Sequence, residues 1–358
     1  MTASSADLIQ VRWPSGDELS IPALWLRDSC TCPECRVEQT QEKRFHLANL
    51  SSLSAVRLDT DDQGLRVHWS DGHESYFERS FFESDYTQPK QVWRPWSDDF
   101  LPGRYDFGAF QTDNAYAAQA IGEFLETGVL IIENAPTEDK TLERMSPRFG
   151  PIREVLFERI HNVKVDPKGY NVAHTSLGLP PHNDFASYSW PPSVQALHML
   201  GNEAVGGNST ICDGWAVLEE FRRDHPDEFE TLCRVAVPFR EFDEDNETYA
   251  CEPIITLNPR GEISLFRYSN QLMQTMDFRD PETAVFYDAY HKLSRALLNT
   301  RFSRSFRLNG GEMLVVASHR ILHGREAITS SGYRHLQDAY FEHDNIRNML
   351  TVLKRSHV

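Results

Sequence analysis

Alternating apolar and polar residues near the start of the chain predict β-strands joined by short turns. Residues 8–13 alternate as in a half-buried strand and run into a Pro-Ser-Gly-Asp turn. Residues 65–77 are typical of a hairpin around Ser-Asp-Gly. A packed connector rich in proline and aromatic residues, 88–112, follows. We therefore predict a small β-rich domain over residues 1–95 and a second domain over 96–358.

The second domain mixes helices with strands. Asp113 is placed to cap a helix that ends at Thr127, before Gly128, and the apolar run at 129–132 predicts a buried strand. Further helices are predicted at 215–234, with a break near His225-Pro226, and at 281–298. Further strands are predicted at 195–200, 252–257, 262–268 and 312–317, with hairpin turns at 258–261 and 309–311. Many strands, few helices and no regular βαβ alternation favour a sheet sandwich or barrel.

The acidic composition excludes several classes of partner. The chain has 358 residues and a formal net charge of −17, so its surface repels nucleic acid and anionic lipid. No apolar run reaches the length of a membrane span, and residues 1–7 lack the basic and apolar regions of a secretory signal. Six cysteines in a chain of this size do not form a disulfide scaffold. These features predict a cytoplasmic protein that acts on a small molecule.

Three of the cysteines form a candidate metal site. Cys30, Cys32 and Cys35 lie within six residues, and tetrahedral Zn²⁺ is commonly held by three cysteines and one histidine. The candidate fourth ligands are His46, His68 and His73. We favour His73, because it lies at a hairpin turn and can point over a neighbouring loop. Such a closed ligand set predicts a structural zinc.

A second candidate metal site combines two histidines with a carboxylate. His182 and Asp184 flank one residue, so both side chains leave an extended strand on the same side. A second histidine, His323, follows a predicted strand, and the three residues together form the facial triad of non-haem Fe(II) oxygenases. Arg334 lies eleven residues after His323. An arginine at this position is suited to bind the far carboxylate of 2-oxoglutarate, whose other end chelates iron.

These motifs, in this order, resemble the γ-butyrobetaine hydroxylase and trimethyllysine dioxygenase family and, more distantly, taurine dioxygenase. The resemblance is carried by Leu24–Cys30 (LWLRDSC), His182–Asp184 (HND), His323–Arg325 (HGR) and Arg334–Leu336 (RHL). It implies a fold that is mostly β with some α: a double-stranded β-helix (jelly-roll) catalytic domain preceded by a small β-rich zinc-binding domain. It also implies a homodimer, with the first domain as the dimerisation unit.

The resemblance further implies the role of each site residue. Zinc would be held by Cys30, Cys32, Cys35 and His73, and Fe(II) by His182, Asp184 and His323. The cosubstrate 2-oxoglutarate would be bound by Arg334, Ser209, Leu197 and Arg325, with O2 as the oxidant. Because family members that halogenate replace the iron-binding carboxylate with a small residue, Asp184 implies hydroxylation.

The substrate-binding positions depart from the family pattern. The aromatic cage that holds a trimethylammonium group is replaced at three places, by Phe157, His161 and His174, while Tyr340 is retained. Other residues at substrate positions are Asn171, Asn270 and Asp338. Protonated imidazoles repel a cation, so the cage is weakened. We expect Asp338 to pair with a primary or secondary amine, and His161 with His174 to hydrogen-bond an oxyanion.

The sequence therefore predicts an Fe(II)- and 2-oxoglutarate-dependent hydroxylase of a small amine-bearing or zwitterionic metabolite. The alternative substrates are γ-butyrobetaine, trimethyllysine and an aminophosphonate such as trimethylaminoethylphosphonate. A non-enzymatic alternative is a zinc-stabilised binding or scaffold protein. A zinc hydrolase is disfavoured, because it would leave Arg334 without a task.

Overall fold

The chain forms two compact units, Met1–Lys90 and Gln91–Val358. The computed structural model describes residues 8–50, 53–84, 92–156, 158–164, 174–298, 300–329 and 332–355. The domain bounds 1–95 and 96–358, and the dimerisation role of the first domain, stay predictions. Among the described residues, no helix is both long enough and apolar enough to cross a lipid bilayer.

The first unit is built from short antiparallel strands. Its elements are β1 (Leu8–Arg12), β2 (Glu18–Pro22), α1 (Ala23–Asp28), β3 (Ala55–Thr60), β4 (Gly64–Trp69), β5 (Glu74–Glu78) and α2 (Arg79–Glu83). Strand β1 pairs with β2, and β3, β4 and β5 form a second sheet in that order. Val11, Leu26, Leu65 and Val67 form the buried centre of this unit. The two predicted hairpins are confirmed, whereas β3 was not predicted.

The second unit contains the strands that carry the candidate site. They are β6 (Gly103–Asp106), β7 (Val129–Glu133), β8 (His161–Lys164), β9 (Leu179–His182), β10 (Val194–Asn202), β11 (Ser209–Asp213), β12 (Ala236–Phe242), β13 (Glu247–Pro253), β14 (Ile255–Leu257), β15 (Ile263–Phe266), β16 (Ser303–Phe306), β17 (Met313–Val316), β18 (Ile321–Arg325) and β19 (Arg334–Phe341). One sheet has the order β6-β7-β17-β10-β19-β8 and another the order β16-β11-β18-β9. The β12–β13 and β14–β15 hairpins stand outside these two sheets. This is the expected double-stranded β-helix.

The helices of the second unit cover one face of the larger sheet and one end of the core. They are α3 (Phe107–Thr112), α4 (Asn114–Thr127), α5 (Ser146–Phe149), α6 (Gly214–Asp224), α7 (Pro226–Arg234), α8 (Pro281–Leu298) and α9 (His343–Arg355). The side chain of Asp113 caps α4 by accepting from the backbone N–H groups of residues 115 and 116, and Gly128 ends the helix with φ +80°. The predicted break at His225 and the bounds of α8 are also confirmed. Helix α9 was not predicted.

The apolar runs in the sequence correspond to strands that are buried on both faces. Leu130 in β7 and Val315 in β17 pack against the helices, in a core that includes α4 and α9. Their neighbours Ile131 and Val316 face the other way, into the core between the two sheets. A strand with a core on each side needs apolar residues at successive positions, which is the pattern that the sequence shows.

Two sequence predictions are wrong in detail. Residues 309–311 do not turn a hairpin: they connect β16 to β17, which lie in different sheets. The turn chemistry is correct, with Gly311 at φ +83°, but local residues do not specify which strand the chain pairs with next. The strand predicted at 252–257 is interrupted at the buried Ile254, so β13 and β14 join different hairpins.

A buried ion pair connects separate segments of the second unit. Arg320 donates to both carboxylate oxygens of Asp213, at 2.7 and 3.0 Å, and to the carbonyl oxygens of Arg94 and Glu126. The same carboxylate accepts from the backbone N–H of Trp96, at 3.2 Å. Both side chains are at least 96% buried, so loss of one partner leaves an uncompensated charge in the interior.

We predict that Arg320→Ala lowers the free energy of unfolding by about 3–5 kcal/mol, measured by urea unfolding. The matched control is Arg301→Ala, which removes an exposed ion pair with Glu220 and is expected to cost less than about 1 kcal/mol. Equal effects of the two substitutions would contradict the role given to the buried pair.

Candidate metal centres and cosubstrate site

Three thiols and one imidazole converge in the first unit. The Nε2 atom of His73 lies 3.3 Å from the Sγ of Cys30 and 3.6 Å from the Sγ atoms of Cys32 and Cys35. A tetrahedral zinc with bonds of about 2.3 Å to sulfur and about 2.0 Å to nitrogen places these atoms roughly 3.5 Å apart. The donor set therefore fits a structural zinc. Of the three candidate histidines, the structure brings His73 to the thiols.

The other two candidates are engaged elsewhere. The Nδ1 atom of His46 accepts from the backbone N–H of Ala48. The imidazole of His68 lies 3.3 Å from the carboxylates of Asp59 and Glu74. Neither histidine is held where it could complete the thiol cluster.

A buried arginine supports the thiol cluster. Arg27 donates through Nη1 to the Sγ of Cys35, at 3.2 Å, and through Nε to Asp71, at 3.0 Å. Asp71 in turn accepts from the backbone N–H of His73, at 3.0 Å. Burial raises the pKa of Cys35 to about 12, although Arg27 opposes that rise. A bound cation would offset the cost of ionising the thiol, and Arg27 adds a second positive charge beside it.

Two strands of the smaller sheet bring the second cluster together. His182 ends β9 and pairs directly with His323 of β18 in the antiparallel register. Asp184 follows two residues after β9, and its Oδ1 lies 3.4 Å from Nε2 of His182 and 3.9 Å from Nε2 of His323. The Nδ1–H of His182 donates to the Pro180 carbonyl, at 2.8 Å, which directs Nε2 to the cluster. Two imidazoles and one carboxylate in this arrangement fit Fe(II) and leave coordination positions open.

The carboxylate of the cluster is held from the larger sheet. Oδ2 of Asp184 accepts from Gln195 on β10 and from the Tyr340 hydroxyl on β19, both at 2.7 Å. The same two donors contact Oδ2 of Asp338, at 2.7 and 2.9 Å. The Gln195 amide also lies 3.2 Å from the Tyr340 hydroxyl, so the two amide protons and the one hydroxyl proton serve five contacts. Burial and the charge of Asp184 raise the pKa of Asp338, although His161 opposes the rise.

Two of the three candidate ligands, Asp184 and His323, are electrostatically prepared for a cation. Burial raises the pKa of Asp184, but His323, His182 and Tyr340 outweigh burial and hold it below its usual range. Burial and the neighbouring His182 lower the pKa of His323 to about 4. An ionised carboxylate beside a neutral imidazole is the protonation state that a metal ion requires of its ligands.

A buried guanidinium lies at the far end of β19. Arg334 is 8% exposed, and its buried Nε has no hydrogen-bond partner among the described residues. Burial, Arg325 and Arg307 together lower its pKa to about 10. Gly207 lies beside it with φ +66°, and a Cβ there would come within 3.0 Å of Ile328 and 3.7 Å of that Nε. An unsatisfied cation among other cations fits an anionic ligand such as a carboxylate.

The remaining cosubstrate residues lie on the strands around Arg334. Ser209 is buried at the start of β11, where it pairs in register with Arg325. Arg325 donates through Nη2 to the carbonyl oxygens of Thr175 and Leu177, at 2.6 and 2.7 Å. Leu197 of β10 packs against the core between the sheets. Their contacts with 2-oxoglutarate stay predictions.

The residues predicted to bind substrate fall into three groups. Phe157 and Asn171 lie outside the described residues. The Nδ1–H of His174 donates to the Lys164 carbonyl, at 3.0 Å, and Asn270 lies on an exposed turn. His161, Asp338 and Tyr340 come together beside Asp184: His161 lies 3.5 Å from Asp338, and its ring centroid is 5.6 Å from that of Tyr340.

The structure disfavours the oxyanion contact predicted for His161. Its Nε2 hydrogen-bonds the Glu158 carbonyl, at 2.9 Å, and its Nδ1 faces Oδ1 of Asp338. Both ring nitrogens are thus directed at protein oxygens, and a neighbouring carboxyl group opposes an anion. Oδ1 of Asp338 lies 3.5 Å from this Nδ1 but has no hydrogen-bond partner among the described residues, so an amine would compete only with His161 for that oxygen.

Sequence reasoning missed three residues near the triad. Gln195 holds Asp184, as described above, but no local motif shows that contact. Phe185 follows the His-X-Asp motif with φ +53°, and its ring centroid is 5.0 Å from that of Tyr340 and 6.0 Å from that of His161. A positive φ at a bulky residue is uncommon and marks a functional segment. Glu241, on β12, interacts electrostatically with His182 and Asp184.

Comparison with known proteins matches both units. Residues 90–340 match the taurine catabolism dioxygenase TauD, TfdA family, and residues 2–81 match the gamma-butyrobetaine hydroxylase-like N-terminal family. The chain is 30% identical over 365 residues to gamma-butyrobetaine dioxygenase of Pseudomonas sp. (strain AK-1), covering 99% of this chain and 95% of that protein. It is 26% identical to the mitochondrial trimethyllysine dioxygenase of Bos taurus, over 92% of this chain and 82% of that protein.

One solved structure supports the fold. The crystal structure of a taurine dioxygenase from Burkholderia xenovorans aligns with a TM-score of 0.50 and 15% identity, covering 71% of this chain and 91% of that one. At this identity the likeness concerns the fold alone.

We predict that Cys32→Ser lowers the melting temperature of the first unit by about 10 °C or more and removes one equivalent of zinc. A loss of 1 kcal/mol shifts a domain of 60–100 residues by roughly 4–8 °C. Calorimetry and elemental analysis measure the two effects. The matched control is Cys251→Ser, an exposed free cysteine on β13 that should change neither. Unchanged stability after loss of zinc would show that the thiol cluster is not structural.

Proposed function

Because the chain belongs to the taurine catabolism dioxygenase TauD, TfdA family, we propose that it hydroxylates an unactivated C–H bond of a small amine-bearing or zwitterionic metabolite. The chain is a 2-oxoglutarate-dependent dioxygenase that uses Fe(II) and O2. Iron, when bound, couples the oxidative decarboxylation of 2-oxoglutarate to oxidation of the substrate. The assignment of individual residues and of the substrate is our proposal.

The convergence of His182, Asp184 and His323 is the observation that carries this proposal. Two imidazoles and an ionised carboxylate would hold Fe(II) on one face. Gln195 and Tyr340 fix the orientation of the carboxylate, since both donate to the oxygen that faces away from the histidines. The side chains therefore need little rearrangement when the metal binds.

Arg334 would orient the cosubstrate. Its guanidinium would bind the far carboxylate of 2-oxoglutarate, while the keto-acid end reaches the metal. Arg334 and Asp338 are four residues apart on β19 and share a strand face, which corresponds to about 13 Å. One strand thus carries the anion-binding arginine at one end and the carboxyl network beside Asp184 at the other.

The residues around the triad favour a substrate other than a quaternary ammonium. Tyr340 and Phe185 supply aromatic rings, but the neighbouring positions hold an imidazole and a buried carboxyl group, His161 and Asp338. Aromatic faces are the usual binding surface for a cation that has no N–H groups. Hydrogen-bond acceptors such as these suit an amine that carries N–H groups.

γ-Butyrobetaine itself is the second candidate substrate. The similarity to the Pseudomonas gamma-butyrobetaine dioxygenase extends over almost the whole chain and favours it. The non-enzymatic alternative is a zinc-stabilised binding or scaffold protein, which would form no succinate.

We also propose that the protein acts as a homodimer in the cytoplasm. The match of residues 2–81 to a γ-butyrobetaine hydroxylase-like N-terminal family supports the homodimer. The six free cysteines suit a reducing compartment. Light scattering on the purified protein tests the dimer, and a monomeric mass would contradict it.

The test of the proposed function measures succinate and hydroxylated product with Fe(II), 2-oxoglutarate and a panel of amines. The panel contains γ-butyrobetaine, lysine, arginine, and γ-aminobutyrate with none, one or two N-methyl groups. We expect succinate with at least one N–H-bearing amine and little carnitine from γ-butyrobetaine. Robust carnitine formation would overturn the altered substrate, and no succinate with any amine would overturn the proposed function.

The triad has its own control in the same assay. Asp184→Ala should abolish succinate formation without unfolding the protein, because a metal ligand is lost. Asp288→Ala removes an exposed carboxylate of α8 that pairs with Lys292, and it should retain full activity. Activity of Asp184→Ala at the level of the unsubstituted protein would contradict the assigned triad.

We predict that Arg334→Ala raises the KM for 2-oxoglutarate roughly 10- to 100-fold, the usual worth of a hydrogen bond to a charged group. The kcat at saturating cosubstrate should change far less. Arg334→Lys, which keeps the charge but not the paired donors, should have an intermediate KM. The matched control is Arg347→Ala, an exposed arginine on α9, and it should leave the KM unchanged. An unchanged KM in Arg334→Ala would contradict its role.

A further inference from the structure

Glu241 is an acidic residue that the assignments above do not use. It lies on β12, where Arg240 and Phe242 on either side of it point outward: Arg240 pairs with Glu247, and Phe242 is 57% exposed. Side chains alternate along a strand, so Glu241 shares the inward face with the fully buried Phe239. The carboxylate is therefore directed into the protein.

The β12–β13 hairpin is hydrogen-bonded to the segment that carries the His-X-Asp motif. Thr248 is the residue opposite Glu241 in the register. Its hydroxyl hydrogen-bonds the hydroxyl of Ser187, at 2.7 Å, three residues after Asp184. On the other side, the backbone N–H of Arg240 donates to the Leu272 carbonyl, at 2.9 Å. The position of Glu241 near the triad is thus set by contacts on both sides of its strand.

Glu241 interacts electrostatically with two residues of the triad, His182 and Asp184. Burial, with the charges of Asp184 and Asp243, raises the pKa of Glu241 to about 7, while His182 opposes the rise. Glu241 in turn helps to raise the pKa of His182. The carboxylate therefore lies within electrostatic range of two of the three candidate iron ligands.

Among the described residues, no lysine or arginine pairs with Glu241 to compensate its burial. Its Oε2 is buried and has no hydrogen-bond partner among the described residues. The groups that act on its charge are Asp184, His182 and Asp243, and no lysine or arginine is among them. A buried carboxylate without a cation is costly and is rarely kept for stability alone. Such a group in a reactive site is a candidate for ligand recognition.

We propose that Glu241 is a specificity-determining residue, which accepts a hydrogen bond from an N–H-bearing cation of the substrate: a primary or secondary ammonium or a guanidinium. The inference rests on the proposed function and names the contact that selects the substrate. Like Oδ1 of Asp338, the Oε2 of Glu241 is buried without a hydrogen-bond partner among the described residues, so Glu241 offers the amine an acceptor in addition to the one predicted at Asp338. An anionic end of the substrate would be repelled from this position.

A site built to accept N–H groups rejects analogues that lack them, because its own polar group is then left unpaired. The trimethylammonium group of γ-butyrobetaine carries no N–H. An unsubstituted, monomethyl or dimethyl ammonium carries three, two or one. The degree of N-methylation is therefore the variable that tests the role of Glu241.

The experiment compares the unsubstituted protein with Glu241→Gln and Glu241→Ala on the same amine panel. It measures kcat and KM for each amine, the KM for 2-oxoglutarate, and amine binding without oxygen from the change in the absorption of the Fe(II)–2-oxoglutarate complex. The matched control is Glu247→Gln, an exposed glutamate on the neighbouring strand, which should behave as the unsubstituted protein.

We expect Glu241→Gln to raise the KM and the dissociation constant of N–H-bearing amines roughly 10- to 100-fold. Glu241→Ala should have at least as large an effect, and both should leave the KM for 2-oxoglutarate unchanged. The discrimination against γ-butyrobetaine should shrink by the same factor. Glutamine keeps the size of the side chain, so a folded Glu241→Gln separates recognition from packing.

The outcomes separate the two proposals. If the unsubstituted protein hydroxylates an amine and Glu241→Gln leaves both its KM and the methylation preference unchanged, the role of Glu241 is wrong and the proposed function stands. A change confined to kcat and its pH profile would indicate proton transfer and would also contradict recognition. If no amine supports succinate formation in the unsubstituted protein, the proposed function and the inference both fail.

Discussion

The antiparallel pairing of β9 with β18 is the constraint on which the site depends. It sets His182 opposite His323 in the register, so the two imidazoles meet without help from a flexible loop. Asp184 lies two residues beyond the end of β9 and is held by donors from the other sheet, Gln195 and Tyr340. The ligand cluster thus requires both sheets of the β-helix in their correct positions, and misalignment of either would separate the ligand atoms.

The surroundings of the cluster divide the site by charge. Arg334, with Arg325 and Arg307 nearby, forms a cationic end that suits the carboxylates of 2-oxoglutarate. Asp338 and Glu241 surround the triad with acidic groups, which suit a cationic substrate. The overall charge of −17 makes the arginine end exceptional on this protein. The two ends of the site therefore distinguish cosubstrate from substrate by the sign of their charge, independently of their shape.

The sequence was sufficient where chemistry is local and insufficient where it depends on tertiary pairing. The cap at Asp113, the bounds of α8, the Cys-X-Cys-X-X-Cys segment and the His-X-Asp pair follow from spacing and residue type, whereas the full metal-ligand sets also depend on the family resemblance. The turn at 309–311 was predicted correctly but assigned to a hairpin, because turn residues do not determine with which strand the chain pairs next. Gln195 and Glu241 belong to no sequence motif. From the sequence, Gln195 is an ordinary strand residue and Glu241 is an acidic residue expected at the surface. Only the packed structure shows that Gln195 contacts Asp184 and that Glu241 is directed into the protein.

Anaerobic titration with Fe(II) and then 2-oxoglutarate tests the central claim most directly. The charge-transfer absorption of the iron–keto-acid complex should develop with one iron per chain in addition to the zinc of the first unit. It should be absent in folded Asp184→Ala. If the folded, unsubstituted protein binds no iron, or binds it without this absorption, the three side chains do not form an oxygen-activating centre.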